Sequence, residues 1–327
     1  MSERIKLFSH CDMDGVACAI LAKIAFGDKN VDVEYCNYDD INEKVREFYN
    51  SGRDREYYRV YITDISISDD LADEIDKYGC GNWFLFDHHG TATGLNRFGW
   101  CEVSVHNRNG LKTCGTELFY DELLLDRRFE NKHHEFMVTL RHFVDVVRDW
   151  DTWRWKELSE AGEISKQLND LLYIYGREGF INWVIQQVTI GWGKIIFNET
   201  DRALLANRQR SLEEYVNKKN SEMITYLDQF GKFCGIVFAD RQISELGNRL
   251  SELHKELDYI ALIDVAGRKV SYRTVRDDVD LGKEIAHAFG GGGHAKAAGS
   301  TFGEDVWYGI IGRLFTGVGV EEVCCEE

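Results

Sequence analysis

Along the first ninety positions, short unbroken apolar runs alternate with longer stretches in which apolar residues recur at helical spacing. Residues 4–9 read as a buried strand, and Asp14-Gly15 then leads into an apolar helical stretch over 16–26. Residues 31–36 predict a second strand and 41–49 a short amphipathic helix. Residues 59–63 predict a third strand, after which Ser68 can cap a helix that begins at Asp69-Asp70 and runs to Tyr78. Residues 83–86 are the fourth strand. This rhythm predicts an α/β fold with a doubly wound, mainly parallel sheet. Ligands of such folds bind beyond the carboxyl ends of the strands, and His10, Asp64 and Asp87-His88-His89 all follow strands directly.

From Gly115 to about Gly193 the pattern turns helical and rich in Leu, Phe and Trp. Residues 201–227 read as one long charged helix. After Gly231 a second alternation begins: strand 234–239, helix 244–256, strands 259–265 and 269–274, helix 281–288, and then four glycines. The expected organisation is a first domain over 1–195, a helical connector over 196–231 and a smaller α/β domain over 232–327. Trp150, Trp153, Trp155, Trp183 and Trp192 lie at helical spacing and are expected mostly in the core, with a base-stacking platform as the alternative.

Composition narrows the function classes. No apolar run approaches the roughly 20 residues that cross a bilayer, and the chain enters its first strand without signal-peptide architecture. A cytoplasmic protein without a membrane partner is the expectation. The nine cysteines form no Cys-x-x-Cys pair and are odd in number, which fits thiols in a reducing compartment; Cys324-Cys325 are assigned no role. A net charge of −17 argues against broad gripping of long nucleic acid, which needs basic surface. Clustered carboxylates are nonetheless what a divalent cation requires. Proline is absent, so Gly, Asn and Asp must punctuate the turns.

Candidate chemistry concentrates in four segments. In His10-Cys11-Asp12-Met13-Asp14-Gly15, an imidazole and two carboxylates alternate at a strand tip, and Gly15 lets the chain turn into the helix. Such a set suits Mn²⁺ or Mg²⁺; the alternative is an acidic turn favoured by the helix dipole. Asp64 alone is a common strand terminator. Asp87-His88-His89-Gly90 is sharper, because adjacent histidines after a buried strand are poor core material and an aspartate can orient an imidazole. Asp149-Trp150-Asp151-Thr152-Trp153 supplies two more carboxylates.

Together these segments resemble the Asp-His-His phosphoesterase superfamily, which includes RecJ-like nucleases, nanoRNases, cyclic-dinucleotide phosphodiesterases and manganese pyrophosphatases. The resemblance implies two divalent ions, Mn²⁺ ahead of Mg²⁺. His10, Asp12 and Asp64 would hold one; Asp14, Asp64, His88 and Asp151 would hold the other, with Asp64 as the bridge. Asp151 is preferred to Asp149 because it precedes Thr152, as in several family members. Asp87 would act behind the ligands, and His89 would face the scissile phosphate.

The run Gly290-Gly291-Gly292-Gly293-His294 follows a predicted helix, and bare main chain there can admit a phosphate or base. A flexible linker is the alternative. The run is similar to the Gly-Gly-Gly-His motif of the C-terminal domain found with RecJ-like and nanoRNase-type members. That likeness implies that Gly291, Gly292, Gly293 and His294 bind substrate, with Arg273 as a phosphate clamp. The implied activity is hydrolysis of short single-stranded RNA or DNA from an end, to mononucleotides, with substrate in a cleft between the domains. No obligatory protein partner is expected, and a homodimer is compatible with the sequence. Competing readings are a phosphatase or phosphodiesterase for adenosine bisphosphate or linear dinucleotides, a RecJ-type exonuclease and a non-catalytic nucleotide-binding module.

Overall fold

A computed structural model describes residues 3–315, so Cys324-Cys325 lie outside the described residues. The chain divides into two compact units after Ala206. In the first, strand β1 (Ile5–His10) leads to helix α1 (Met13–Phe26), β2 (Val31–Cys36) to α2 (Ile41–Asn50), and β3 (Arg59–Thr63) to α3 (Asp69–Tyr78). Strands β4 (Trp83–Asp87) and β5 (Cys101–Val103) complete a five-stranded sheet in the order β2-β1-β3-β4-β5, with every pair parallel. Strand β5 escapes the sequence pattern because three residues are too few to show a period. Helices α4 (Gly115–Leu125), α5 (His134–Asp151) and α6 (Glu160–Ile190) follow, the last interrupted at Gly176.

Strands β3 and β4 are largely apolar and buried because both sheet faces are covered, whereas the edge strand β2 alternates, Val31-Asp32-Val33-Glu34. Ile5, Leu7 and Tyr61 join a core with α1, α4, α5 and α6. Phe8, Val60, Ile62 and Leu85 join a second core with Ile41, Val45 and Phe48 of α2 and Leu71 and Ile75 of α3. Strand order reverses beside β1, with β2 on one side and β3 on the other. A crevice at the carboxyl ends of β1 and β3 is therefore where this topology accepts ligands.

The tryptophan expectation holds in part: Trp150 and Trp183 are half-buried and pack against the first core. None of the five is fully buried; Trp83 is the tryptophan that is. Trp150 stacks on Trp155 at 5.1 Å between ring centres, and Trp183 lies 6.4 Å from Phe180 and 5.9 Å from Phe197. Trp153 and Trp192 are more than half exposed. Trp153 follows the end of α5 with φ of 63°, which takes its side chain out of the helical repeat.

Helix α7 (Glu199–Glu222) runs through the division between the units. The second unit carries β6 (Ile224–Leu227), β7 (Phe233–Phe238), α8 (Ile243–Leu253), β8 (Tyr259–Asp264), β9 (Lys269–Arg273), β10 (Gly292–Gly293), β11 (Ala297–Thr301) and α9 (Glu304–Phe315). Its sheet has the order β10-β11-β9-β8-β7-β6, with β7 and β8 parallel and the other pairs antiparallel. Residues 224–227, expected inside the connector, instead pair with β7. The charged run stops at Glu222, and Ile-Thr-Tyr-Leu is strand-forming composition.

The predicted regular helix over 281–288 is replaced by one π turn (Leu281–Ile285) and a 3₁₀ turn (Ala286–Phe289). Backbone crowding from the glycine run explains the departure. A β-carbon on Gly282 would lie 2.4 Å from the Gly293 carbonyl oxygen.

Candidate metal centre

Three strand ends and two helix ends deliver the polar residues. His10 ends β1; Asp12 caps α1 by accepting the Gly15 N–H at 3.2 Å; Asp14 lies in the first turn of that helix. Asp64 follows β3, β4 ends at Asp87 with His88 and His89 next, and Asp151 is the last residue of α5. Asp64 has a left-handed backbone, φ 59°. That conformation takes its side chain out of the strand's up-and-down alternation, at an energetic cost typical of functional positions.

Asp64 is 1 % exposed, and its two carboxylate oxygens look in different directions. Oδ2 lies 3.5 Å from His10 Nδ1, which in turn lies 2.9 Å from Asp12 Oδ2. Oδ1 lies 3.3 Å from His88 Nε2, which is 3.4 Å from Asp151 Oδ2 and 3.8 Å from Asp14 Oδ2. Two donor groups result, His10/Asp12/Asp64 and Asp14/His88/Asp151, and a third, Asp64/Asp87/His88/His89, overlaps both; in each the ligand atoms lie within 4.8 Å of one another.

The donors are buried yet unsatisfied. His10 Nδ1, Asp64 Oδ2, His88 Nε2 and Asp151 Oδ2 are all enclosed, and among the described residues none has a hydrogen bond of proper geometry, the 2.9 Å approach of His10 to Asp12 included. Buried polar atoms left this way cost about 1–3 kcal/mol each, more when charged. Ligand atoms about 2.1 Å from a shared ion at right angles would stand roughly 3 Å apart, close to the spacings here. The residues therefore fit divalent cations, which would satisfy all four atoms together. Burial pushes the Asp64 carboxyl well above the usual range, and Asp14, Asp12 and Asp151 add to it. Burial raises Asp151 in the same way, with Asp14 next. Burial lowers His88, which keeps its imidazole neutral, as a ligand must be.

Asp14 is held from behind by the start of α4. Gly115 N–H donates to Oδ2 at 2.6 Å, Thr116 N–H to Oδ1 at 2.8 Å, and the Thr116 hydroxyl to the Asp14 carbonyl at 2.7 Å. A helix N-terminus is a natural anion holder. Gly115 is required by close approach, since a β-carbon there would lie 2.7 Å from Asp64 Cβ.

Asp87 is fully buried and serves its neighbours. It accepts from the Ser66 hydroxyl at 2.5 Å, from the His88 N–H at 2.8 Å and from His89 Nδ1 at 2.7 Å. The Nδ1 atom thus carries the proton, and Nε2 lies 2.9 Å from the Tyr38 hydroxyl. Burial alone would lower His89, but the Asp87 hydrogen bond and charge outweigh it and the net shift is upward. Asp149 stands apart, turned toward Arg154 at 3.1 Å and Arg148 at 3.4 Å.

In the second unit the glycine run forms a hairpin. Gly292 and Gly293 pair with Gly299 and Ala298, and His294 N–H donates to the Ala297 carbonyl at 2.8 Å. Two of the glycines expected to admit substrate are needed for packing within the chain. A β-carbon would meet Gly299 O at 2.1 Å from Gly291 and Ala298 Cα at 2.6 Å from Gly293, whereas Gly292 faces open space and His294 is exposed. Arg273 stands opposite Ala297 in the sheet. Its guanidinium donates to the Tyr272 carbonyl at 2.8 Å and the Ser244 hydroxyl at 3.0 Å, with no carboxylate partner among the described residues.

Sequence reasoning missed Tyr38, Gly115 and Thr116. Tyr38 sits in a polar turn with no pattern of its own, and the Asp14 clamp spans about a hundred positions. A Gly-Thr pair opening a helix was the one available signal.

No family model matches the sequence. A curated relative, oligoribonuclease NrnB of Bacillus subtilis (strain 168), is 34% identical over 313 residues, spanning 94% of this chain and 75% of that protein. Among solved structures, the DHH domain of a protein assigned to a family of ribosomal proteins is similar at a TM-score of 0.60, with 14% identity over 93% of this chain and 83% of that one. RecJ from Thermus thermophilus, in complex with Mn²⁺, gives a TM-score of 0.56 and 15% identity over 96% of this chain and 51% of that chain.

Proposed function

The chain belongs to the DHH phosphoesterase family, and on that footing we propose that it is a metal-dependent exonuclease that trims short single-stranded oligonucleotides to mononucleotides. One observation carries the reading: a single buried carboxylate, Asp64, turns one oxygen to each of two donor groups whose facing atoms have no partner. The 34% identity to an oligoribonuclease supports the substrate class, and the charge of −17 favours a short substrate over a long one.

His10, Asp12 and Asp64 would hold one ion, and Asp14, Asp64, His88 and Asp151 the other. Mixed imidazole and carboxylate donors suit Mn²⁺, with Mg²⁺ the alternative. When bound, such ions supply Lewis acidity and charge neutralisation at a phosphoryl group. The side chains do the rest. Asp87 fixes the His89 ring and keeps Nδ1 protonated. With its affinity for protons raised, His89 can carry a second proton on Nε2 and donate it to a phosphoryl oxygen in place of Tyr38.

Arg273, Gly292 and His294 form a separate anion-binding element in this reading, supported by a guanidinium that has hydrogen bonds to Tyr272 and Ser244 but no carboxylate partner among the described residues. Gly291 and Gly293 contribute by letting the hairpin close. The catalytic part would be residues 1–195 and the substrate-binding part 232–327. Seven described cysteines are free thiols, which supports a reducing setting such as the cytoplasm.

End-labelled di- to pentanucleotides, incubated with Mn²⁺ or Mg²⁺ and followed by gel, test the proposal. Stepwise release of mononucleotides is expected. Intact substrates with every divalent metal tried would overturn it.

A further inference from the structure

A cavity of about 360 Å³ opens within the first unit beside His89. Tyr38, Asn42, Ser66, Ser68, His89 and Thr91 supply its polar wall, and Ile67, Ala92 and Leu95 its apolar one. Two of its residues, Asp87 and His89, are already tied to the centre. The volume lies at the lower end of the roughly 300–1,000 Å³ occupied by small-ligand pockets, so it suits one small moiety and not a chain of them.

Apart from His89, already assigned to the scissile phosphate, the lining supplies no cation for a phosphate. It contains no lysine or arginine, and its two carboxylates are engaged: Asp69 with Arg97 at 2.7 Å, Asp87 with Ser66, His88 and His89. Away from His89, what it offers is neutral. Asn42 accepts the Ser68 N–H at 2.7 Å through Oδ1, which leaves its amide N–H groups without a protein partner among the described residues. Tyr38 is 59% exposed, although its ring centre lies 5.2 Å from that of His10 and 5.8 Å from that of His89. An aromatic face left open next to catalytic groups is a platform on which a base can stack.

We infer that this cavity is a nucleoside subsite, in which the uncharged base and sugar attached to the scissile phosphate rest against Tyr38 while the phosphate stays at the donor groups. The inference rests on the phosphodiesterase reading above. It assigns Tyr38 two functions, a hydroxyl that holds His89 before substrate arrives and a ring that holds the nucleoside afterwards.

The test uses the full chain with Mn²⁺ and two substrates, an RNA dinucleotide and methyl p-nitrophenyl phosphate, which has no nucleoside. The readout is the ratio of their kcat/KM values. Thr91→Trp fills the cavity from an exposed position, Tyr38→Ala removes the ring, and Tyr38→Phe keeps it. The first two are expected to lower the ratio roughly ten- to a hundredfold, mainly through the dinucleotide KM, as loss of one stacked base would. Tyr38→Phe should hold the ratio near wild type even if kcat falls for both substrates. An unchanged ratio in Thr91→Trp and Tyr38→Ala overturns the subsite. Calorimetric binding of a non-hydrolysable dinucleotide analogue separates the two ideas. Wild type that binds the analogue tightly, loses that binding in Thr91→Trp, and yet hydrolyses neither substrate would sink the hydrolase reading and leave the subsite standing.

Discussion

Glu117 and Asp64 are both buried carboxylates of the first unit, 3% and 1% exposed. Glu117 is surrounded by partners: Arg148 and Arg141 at 2.8 Å each and the Thr113 hydroxyl at 2.8 Å. Asp64 faces two imidazoles and three other carboxylates, and one of its oxygens has no hydrogen bond among the described residues. The first arrangement supplies its own countercharge and ties α4 to α5. The second is incomplete and calls for positive charge from outside the chain. Burial of an acid is therefore not diagnostic; what distinguishes the site is burial without compensation.

The largest expected effect breaks the incomplete member. Asp64→Asn tolerates the left-handed backbone but removes charge from both donor groups. Metal-dependent hydrolysis of a dinucleotide should fall by at least about a thousandfold, in line with the several kcal/mol that metal catalysis supplies. The folded state, read by circular dichroism, should remain. Wild-type rates in this variant would dismantle the two-ion assignment.

Breaking the complete member should do the reverse. Glu117→Ala takes from buried Arg148 its partner at 2.8 Å and leaves it Asp145 at 3.0 Å and Asp149 at 3.4 Å, so the cost should stay below the about 3–5 kcal/mol of a fully unpaired buried charge. Urea denaturation should report that loss, while the stoichiometry of cation binding by calorimetry stays as in wild type at temperatures where the variant is folded.

The two carboxylates also differ in the sign of their pH dependence. Burial raises Glu117, but Thr113 and Arg148 outweigh it and the net shift is downward. Its contribution to stability is present above the ordinary Glu value of about 4.3 and is lost as pH falls through the lowered folded value. Asp64 is shifted upward, so in cation-free protein its contribution is present at low pH and lost as pH rises through the raised folded value. Mn²⁺ should cancel that loss. At a hundredfold excess over Kd the melting temperature should rise by roughly 5–10 °C near pH 8. A smaller gain is expected near pH 5, and equal gains at both would contradict the assignment.

Smaller effects are expected further out. Arg273→Lys should raise the dinucleotide KM by about tenfold with little change in kcat, since a point charge replaces a planar fork. Asp149→Asn, whose carboxylate pairs with Arg148 and Arg154, should change the rate less than about threefold. A collapse in the Asp149 variant matching that of Asp64 would show that the boundary between paired and unpaired acids is drawn in the wrong place.

Much of this was legible in the sequence because the donors sit where local pattern is strongest. His10, Asp64 and Asp87-His88-His89 each follow an apolar run whose strand identity is unambiguous, and parallel strands bring their carboxyl ends to one edge. The support around them was not legible. The clasp on Asp14 from Gly115 and Thr116, and the contact of Tyr38 with His89, depend on tertiary neighbours that no local period records. The same limit explains β5, too short for a period, and the distorted turn over 281–289, where packing of the glycine hairpin overrides helical spacing. Four consecutive glycines were conspicuous, but only the backbone geometry separates those needed for closure, Gly291 and Gly293, from the one left open, Gly292.

The hydrogen atom that stands for a side chain at Gly115 changes how variants of this protein should be judged. A single methyl group there would press on Asp64 from 2.7 Å and displace the carboxylate whose two oxygens face the two donor groups. Such a chain would keep every nitrogen and oxygen of its ligand inventory and still lose the ability to assemble them. Intactness of the motif is thus a necessary credential for activity and never a sufficient one.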